Sequence, residues 1–333
     1  MTSPPTPVGG MEALQAQARA EEVAGNWVGL LGTLSTLATL LRELSDESRA
    51  RSVLDQAYQV AATVTDQPGL APTLHQLGFL YFLKGGWDRA LELYHRALAL
   101  QEAAGDREGT AITLGALAEA CQGKGWFRQA LEAYEQSLAL ETDLRDERGV
   151  TLTWNNIGTI RARMGDLAEA MEAFETSLRI QERLGDTPGR AVALANIGAI
   201  HLRQARWSEA LRALEEALVS YEKADDTLGM ATTLNNLGLV QRRLGDLDGA
   251  YRRYARARTL IEASGDLLRA TIPVHNMALI HEERGEYREA LRLMEEVLAI
   301  DKRTGHPDLR PDLETFGRIR AKLDRERDRR PSG

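Results

Sequence analysis

The side chains with the clearest chemical pattern are asparagines and arginines that recur at a spacing of 40 residues. In three repeats an arginine follows an asparagine seven positions later, which sets both on one side of a helix about 10 Å apart along its axis. The full set is Asn156 with Arg163, Asn196 with Arg203, Asn236 with Arg243, Asn235 with Arg242, and Asn276. An amide can pair with any peptide backbone, and a guanidinium can bind a carboxylate through two hydrogen bonds. Such side chains suit the binding of a polypeptide.

The sequence contains no recognisable catalytic or metal-binding motif. His281 and Glu282 begin like the helix of a zinc protease, but the second histidine of that motif is missing. His275 and His281 are about 120° apart around one helix, which makes a poor metal pair. The nucleophile elbow, the phosphate-binding loop and the dinucleotide fingerprint are absent. We therefore expect no enzymatic activity, no cofactor and no metal.

Composition narrows the classes of partner and of compartment. The net charge is −8, which argues against direct binding of nucleic acid. Cys121 is the single cysteine and cannot form an internal disulfide, which favours a reducing compartment. Apolar stretches fall short of the roughly 20 residues that span a bilayer. Arginine supplies most of the positive charge, as in proteins of GC-rich bacteria. These features predict a bacterial, cytoplasmic protein without membrane insertion.

The elements that position these side chains follow from an internal repeat. An alanine column with a 40-residue period comprises Ala50, Ala90, Ala130, Ala170, Ala210, Ala250 and Ala290. Seven repeats fit residues 29–308 without insertion. Each repeat predicts two helices, shown here for the fourth, where Asp146 caps the first helix, Gly165 ends it and Gly185 ends the second. Residues 1–10 are expected to be a disordered tail, 11–28 a half-repeat helix, and 309–333 a capping helix with a basic tail.

The repeat resembles the tetratricopeptide repeat. A small residue precedes the turn, a bulky residue follows it, and then come alanine and an aromatic residue such as Tyr94, Tyr134 or Phe174. The 40-residue form with Asn-Ile-Gly or Asn-Leu-Gly is similar to the repeats of kinesin light chains and of bacterial Rap-type peptide regulators. This resemblance implies an all-α, right-handed superhelical solenoid of stacked antiparallel helix pairs. It also implies that Asn156, Asn196, Asn236 and Asn276, here called the amide ladder, contact a bound peptide of some acidic character.

Several alternatives stay open at this stage. The ladder asparagines could instead bond only to a neighbouring helix. The protein could be an adaptor, a receptor for a short signalling peptide, or a scaffold that associates with its own copies through an apolar patch at Phe79 and Phe82. Pro273 should kink its helix, and Pro72 should either kink its helix or delay its start.

Overall fold

The computed structural model describes residues 7–64, 67, 69–304 and 309–329, and the regular structure within them is entirely α-helical. The sixteen helices of this described part are α1 Pro7–Ala24, α2 Trp27–Glu43, α3 Glu47–Thr63, α4 Leu70–Leu83, α5 Trp87–Ala104, α6 Arg107–Gly123, α7 Phe127–Leu144, α8 Glu147–Met164, α9 Leu167–Leu184, α10 Thr187–Arg203, α11 Trp207–Ala224, α12 Thr227–Arg243, α13 Leu247–Ala263, α14 Leu267–Glu283, α15 Tyr287–Thr304 and α16 Leu309–Arg329. The even-numbered helices α2 to α14 are the first helices of the repeats, and the odd-numbered helices α3 to α15 are the second. The predicted all-α class with stacked helix pairs is confirmed.

A recurrent aspartate starts the first helices. Each side chain accepts a hydrogen bond from the backbone N–H three residues later, which satisfies one of the donors that a helix N-terminus leaves free. The capping residues are Asp106, Asp146, Asp186, Asp226 and Asp266. Asp66, which has the same place in the repeat, lies outside the described residues. At the other end, Gly165 closes α8 with φ of 96° and Gly185 closes α9 with φ of 69°.

The small residues of the repeat let the two helices of a pair approach closely. A Cβ atom on Gly238 of α12 would lie 2.6 Å from the ring of Tyr254 on α13, and one on Gly78 of α4 would lie 2.7 Å from the ring of Tyr94 on α5. Both tyrosine rings are fully buried. Glycine is therefore required there so that the core-facing side of the first helix can rest on the aromatic ring.

The chain divides into two compact units, Met1–Gly165 and Asp166–Gly333. In the first unit, α2 packs on α3, α4 on α5, and α6 on α7, and the first helices α2 and α4 also adjoin each other. In the second unit, α10 packs on α11, α12 on α13, and α14 on α15. The first helices α10, α12 and α14 adjoin in that order, so equivalent residues on them are neighbours.

The ends of several helices differ from the sequence expectations. Helix α1 begins at Pro7, four residues before the expected boundary. Residues 1–6, 305–308 and 330–333 lie outside the described part of the chain. Helix α4 starts at Leu70, so Pro72 stands in its first turn, as the delayed-start alternative expects. Helix α14 runs unbroken from Leu267 to Glu283 with Pro273 inside it.

Candidate functional site

The amide ladder of the second unit lies in the middle of the adjoining helices α10, α12 and α14. Asn196, Asn236 and Asn276 are each half-buried. The residue after each asparagine belongs to the core, and the small residue after that meets the second helix of the pair. One side of each first helix is therefore fixed by core packing. This packing holds the asparagine amide at the border between the buried and the exposed side of the helix.

The three amides of this unit differ in their bonding. The Nδ2 of Asn276 donates to the Oδ1 of Asn235 over 2.9 Å, which links α14 to α12. This is a bond to the neighbouring helix of the kind that the alternative interpretation expects. The side chains of Asn196 and Asn236 have no hydrogen-bond partner among the described residues. Two half-buried amides are thus open, and the third is committed to its neighbour.

The arginines beside the ladder also divide into two groups. Arg242 on α12 donates from Nε to Oε1 of Glu283 on α14 over 2.8 Å, so these opposite charges neutralise each other. Arg242 and Glu283 therefore form an ion pair between these two first helices. Arg203 and Arg243 are exposed at the last turns of α10 and α12. Within the described part of the chain, Arg243 has no ion-pair partner.

In the first unit the matching pair is Asn156 and Arg163 on α8. Asn156 is half-buried, and its amide has no hydrogen-bond partner among the residues that the structure describes. The guanidinium of Arg163 lies over the ring of Phe127 on α7, 5.6 Å from the ring centre. This cation–π contact, worth about 0.5–1 kcal/mol at an exposed site, orients the arginine along the surface.

Phe79 and Phe82 form an apolar patch on α4 in the first unit. Phe79 is 44% exposed, and the two rings stack with their centres 6.5 Å apart. Leu83, one residue further along α4, is exposed to a similar extent. Exposed apolar side chains that adjoin in this way usually mark a contact surface.

A second recurrent feature of the first helices, which the sequence analysis did not single out, is a column of exposed aliphatic residues. The exposed fractions are 58% for Ile112, 65% for Leu152, 40% for Val192 and 51% for Ile272. The column follows the 40-residue period, interrupted by Thr232 on α12, and each member stands four residues before the ladder position, hence on the same helix face. The 40-residue period was the sequence signal that could have revealed this column. The pattern of polar and apolar residues along a single helix does not show whether an aliphatic side chain is exposed.

The C-terminal helix α16 uses part of its basic charge to hold the fold together. Arg318 and Lys322 donate to the carboxylate of Glu282 on α14 over 2.9 and 2.8 Å. Burial alone would raise the pKa of Glu282, but these two cations outweigh it and lower the pKa below its ordinary value. His275 of α14 similarly contacts the buried Asp312 of α16. These contacts hold α16 against α14.

The described residues offer neither a metal site nor a membrane span. Within the described residues, no cluster of three or more histidine, cysteine, aspartate or glutamate side chains is arranged to hold a metal ion. No described helix combines the length and apolarity needed to cross a membrane. Cys121 is buried, and burial raises the pKa of its thiol.

Comparison with known proteins identifies the repeat. Residues 69–142, 150–223 and 229–308 match the family described as Tetratricopeptide repeat. The sequence has no match among curated proteins.

Solved structures show the same fold at low identity. Apo RapI is 15% identical with a TM-score of 0.63, and the comparison covers 88% of this chain and 98% of RapI. A Rap protein complexed with Competence and Sporulation Factor is 15% identical with a TM-score of 0.58, covering 95% of this chain and 94% of that one. A putative kinesin light chain from Podosopora anserina is 19% identical with a TM-score of 0.50, covering 60% and 99%. Taken with the repeat match, which extends over most of the sequence, these findings show that the chain belongs to the tetratricopeptide-repeat family.

Proposed function

We propose that the first helices of this protein bind a polypeptide segment and catalyse no reaction on it. Tetratricopeptide-repeat proteins are protein–protein interaction modules, and this membership supports the general role. The finer proposal is that the ligand lies on the face that carries the amide ladder and the aliphatic column. In a bacterial cytoplasm, where we place the protein, the ligand is a segment of another protein.

The observation that carries this proposal is the pair of open amides at Asn196 and Asn236. Half-buried polar side chains are normally hydrogen-bonded, and a group that finds no partner within the protein commonly takes one from a ligand or from water. A polypeptide backbone supplies both a donor and an acceptor at every residue except proline. Neighbouring amides on α10 and α12 can therefore bind consecutive parts of one extended chain whatever its sequence.

The surroundings of the amides favour particular side chains in the ligand. Val192 and Ile272 offer exposed apolar surface one helical turn before the ladder position. Arg203 and Arg243 stand two turns after it, and both are exposed. The face thus combines exposed aliphatic residues on α10 and α14 with exposed arginines on α10 and α12, while the whole protein carries a net charge of −8. This arrangement supports a ligand that combines aliphatic and acidic residues.

A second candidate function is that of a receptor for a short, free signalling peptide. The similar Rap structure is a complex with Competence and Sporulation Factor, and this favours the candidate. A third candidate is association between copies of the chain through Phe79 and Phe82. Phe79→Asp places a charge in that patch, so it should abolish any rise of mass with concentration in light scattering if the patch mediates association.

The test of the proposal is selection of peptides on the purified full chain. A phage-displayed library of random dodecapeptides is selected on the wild type, and binding of the enriched peptides is then measured by fluorescence anisotropy. The double variant Asn196→Ala/Asn236→Ala should weaken binding roughly thirtyfold, because each lost hydrogen bond contributes about 1 kcal/mol. The control Gln129→Ala/Gln136→Ala removes two exposed amides from the second helix α7 and should leave binding unchanged. Equal binding by both double variants would refute the role of the amides.

A further inference from the structure

Pro273 leaves one backbone carbonyl of α14 without its helical partner. A proline has no N–H, so residue 273 cannot donate to the carbonyl oxygen of Arg269 four positions earlier. Other prolines, Pro72, Pro188 and Pro311, stand in the first turns of α4, α10 and α16, where an N–H would have no helical acceptor in any case. Pro273 differs because it lies in the helix interior. The carbonyl of Arg269 therefore lacks the donor that any other residue at position 273 would supply.

Arg269 and Pro273 border an apolar hollow. A space of about 220 Å³ opens between α12 and α14, and Arg269 and Pro273 both line it. Its apolar wall includes Leu228 and Ile272, which are each about half exposed, and the buried Ile261. Covering half-exposed aliphatic side chains with an apolar group removes their surface from water, which is favourable. The hollow therefore suits an aliphatic side chain.

The rim of the hollow also carries a donor. The Oδ1 of Asn235 accepts from Asn276, and the Nδ2 of Asn235 has no acceptor among the described residues. Asn235 lines the same hollow as Arg269. An extended residue presents its own N–H and C=O along one edge of its chain, as the hydrogen-bonded pairs of β-sheets show. An acceptor from Arg269 and a donor from Asn235 complement those two groups.

The charges at the rim are compensated within the protein, which favours an uncharged side chain in the ligand. The guanidinium of Arg269 is bound to the carboxylate of Asp266 over 3.1 Å, so this arginine adds no uncompensated charge. We propose that the hollow beside Pro273 anchors one aliphatic residue of a bound polypeptide. Its N–H donates to the carbonyl of Arg269, and its C=O accepts from Nδ2 of Asn235. This inference rests on the proposed function and names the residue class that the second unit selects.

The test uses Pro273→Ala, which restores the missing N–H and so engages the carbonyl of Arg269 within the helix. The variant should raise the melting temperature, because a proline in a helix interior is destabilising. It should also weaken binding of the dodecapeptides selected on the wild type by about fivefold, as expected for one lost hydrogen bond. A role in folding alone would raise stability and leave binding unchanged. Pro72→Ala is the matched control and should change neither quantity greatly.

A second measurement needs no variant of the protein. One selected peptide is prepared as a series in which single backbone nitrogens are methylated, together with a series of alanine substitutions. One position should be sensitive to both changes, since its side chain enters the hollow and its N–H reaches Arg269. Methylation at that position should no longer matter in the Pro273→Ala protein, where the acceptor is already occupied.

The outcomes separate this inference from the proposed function. Peptides that lose binding to Asn196→Ala/Asn236→Ala but bind Pro273→Ala as tightly as the wild type would overturn the anchor and leave the function standing. A flat response to methylation would also overturn the anchor, even if Pro273→Ala folded poorly. Failure to enrich any peptide would overturn both.

Discussion

Replacing Glu141 by glutamine tests whether a carboxyl group inside the first unit is protonated. The Oγ of Ser137 lies 2.8 Å from the carbonyl oxygen of Ala111 and 2.9 Å from Oε1 of Glu141. A serine hydroxyl has one proton to donate. If that proton goes to Ala111, the contact with Glu141 requires a proton from the glutamate. The hydroxyl of Thr153 donates to the same Oε1 over 3.0 Å.

The surroundings of Glu141 favour the neutral acid. The side chain is buried, and its Oε2 has no hydrogen-bond partner among the described residues. Burial raises the pKa of Glu141 above its ordinary value of 4.5, and the nearby Asp146 raises it further, although the hydroxyls of Thr153 and Ser137 act in the opposite direction. The residues at the same place in the neighbouring repeats are Gln101 and Gln181, so a neutral side chain with an acceptor and a donor fits this site.

The sign of the pH effect follows from proton linkage. Above pH 4.5 the unfolded chain releases the proton of Glu141, while the folded chain keeps it until the pH passes the raised folded pKa. The contribution of Glu141 to stability is therefore complete below pH 4.5 and is lost as the pH rises through the folded pKa. Between these two values, each pH unit lowers the free energy of unfolding by about 1.4 kcal/mol.

Melting temperatures measured by circular dichroism between pH 5 and pH 9 supply the assay. The difference between Glu141→Gln and the wild type should grow with pH in favour of the variant and then level off above the folded pKa. Glu132→Gln, which alters an exposed glutamate on the same helix, should give a difference that does not vary with pH in this way. A constant difference for Glu141→Gln across the whole range would show that Glu141 is ionised in the folded protein and would refute the proton assignment.

Four further predictions concern the second unit. Asn276→Ala removes the bond to Asn235 and should cost about 1 kcal/mol of stability, whereas Asn196→Ala and Asn236→Ala should leave the melting temperature nearly unchanged. Equal effects of all three variants would contradict the difference in bonding between Asn276 and the other two asparagines. Glu282→Gln should speed hydrogen exchange in residues 309–329, since Arg318 and Lys322 lose their shared partner, and unchanged exchange would show that apolar contacts alone hold α16. The pKa of Glu282 is lowered in the folded protein, so its contribution to stability is present above pH 4.5 and is lost as the pH falls through the folded pKa. Hydrogen-exchange rates of α16, measured at decreasing pH in the wild type and in Glu282→Gln, test this prediction. Arg242→Ala should cost at most about 1 kcal/mol because Glu283 is partly exposed, and a urea midpoint that falls much further would mean a stronger ion pair.

Much of this protein was determined by local rules that the sequence displays. An aspartate that caps its own helix and a glycine that ends it act within a few residues, so the helix pairs follow from the 40-residue period. The small residue that precedes the turn in each repeat likewise predicts which side of the first helix meets its partner. The period also placed the amide ladder on first helices, because equivalent positions in a repeat array have equivalent surroundings.

What the period could not decide is how equivalent side chains differ. Asn276 bonds to Asn235, and Arg242 bonds to Glu283; in each case the partners are 41 residues apart, one more than the period. These pairs depend on the distance between neighbouring helices and on side-chain rotamers, which no single repeat encodes. The acceptor that Pro273 leaves on Arg269 follows from sequence alone, but its position beside an apolar hollow depends on how α12, α13 and α14 pack. Local chemistry thus determined the elements, and packing between repeats decided which of their polar groups remain open to a ligand.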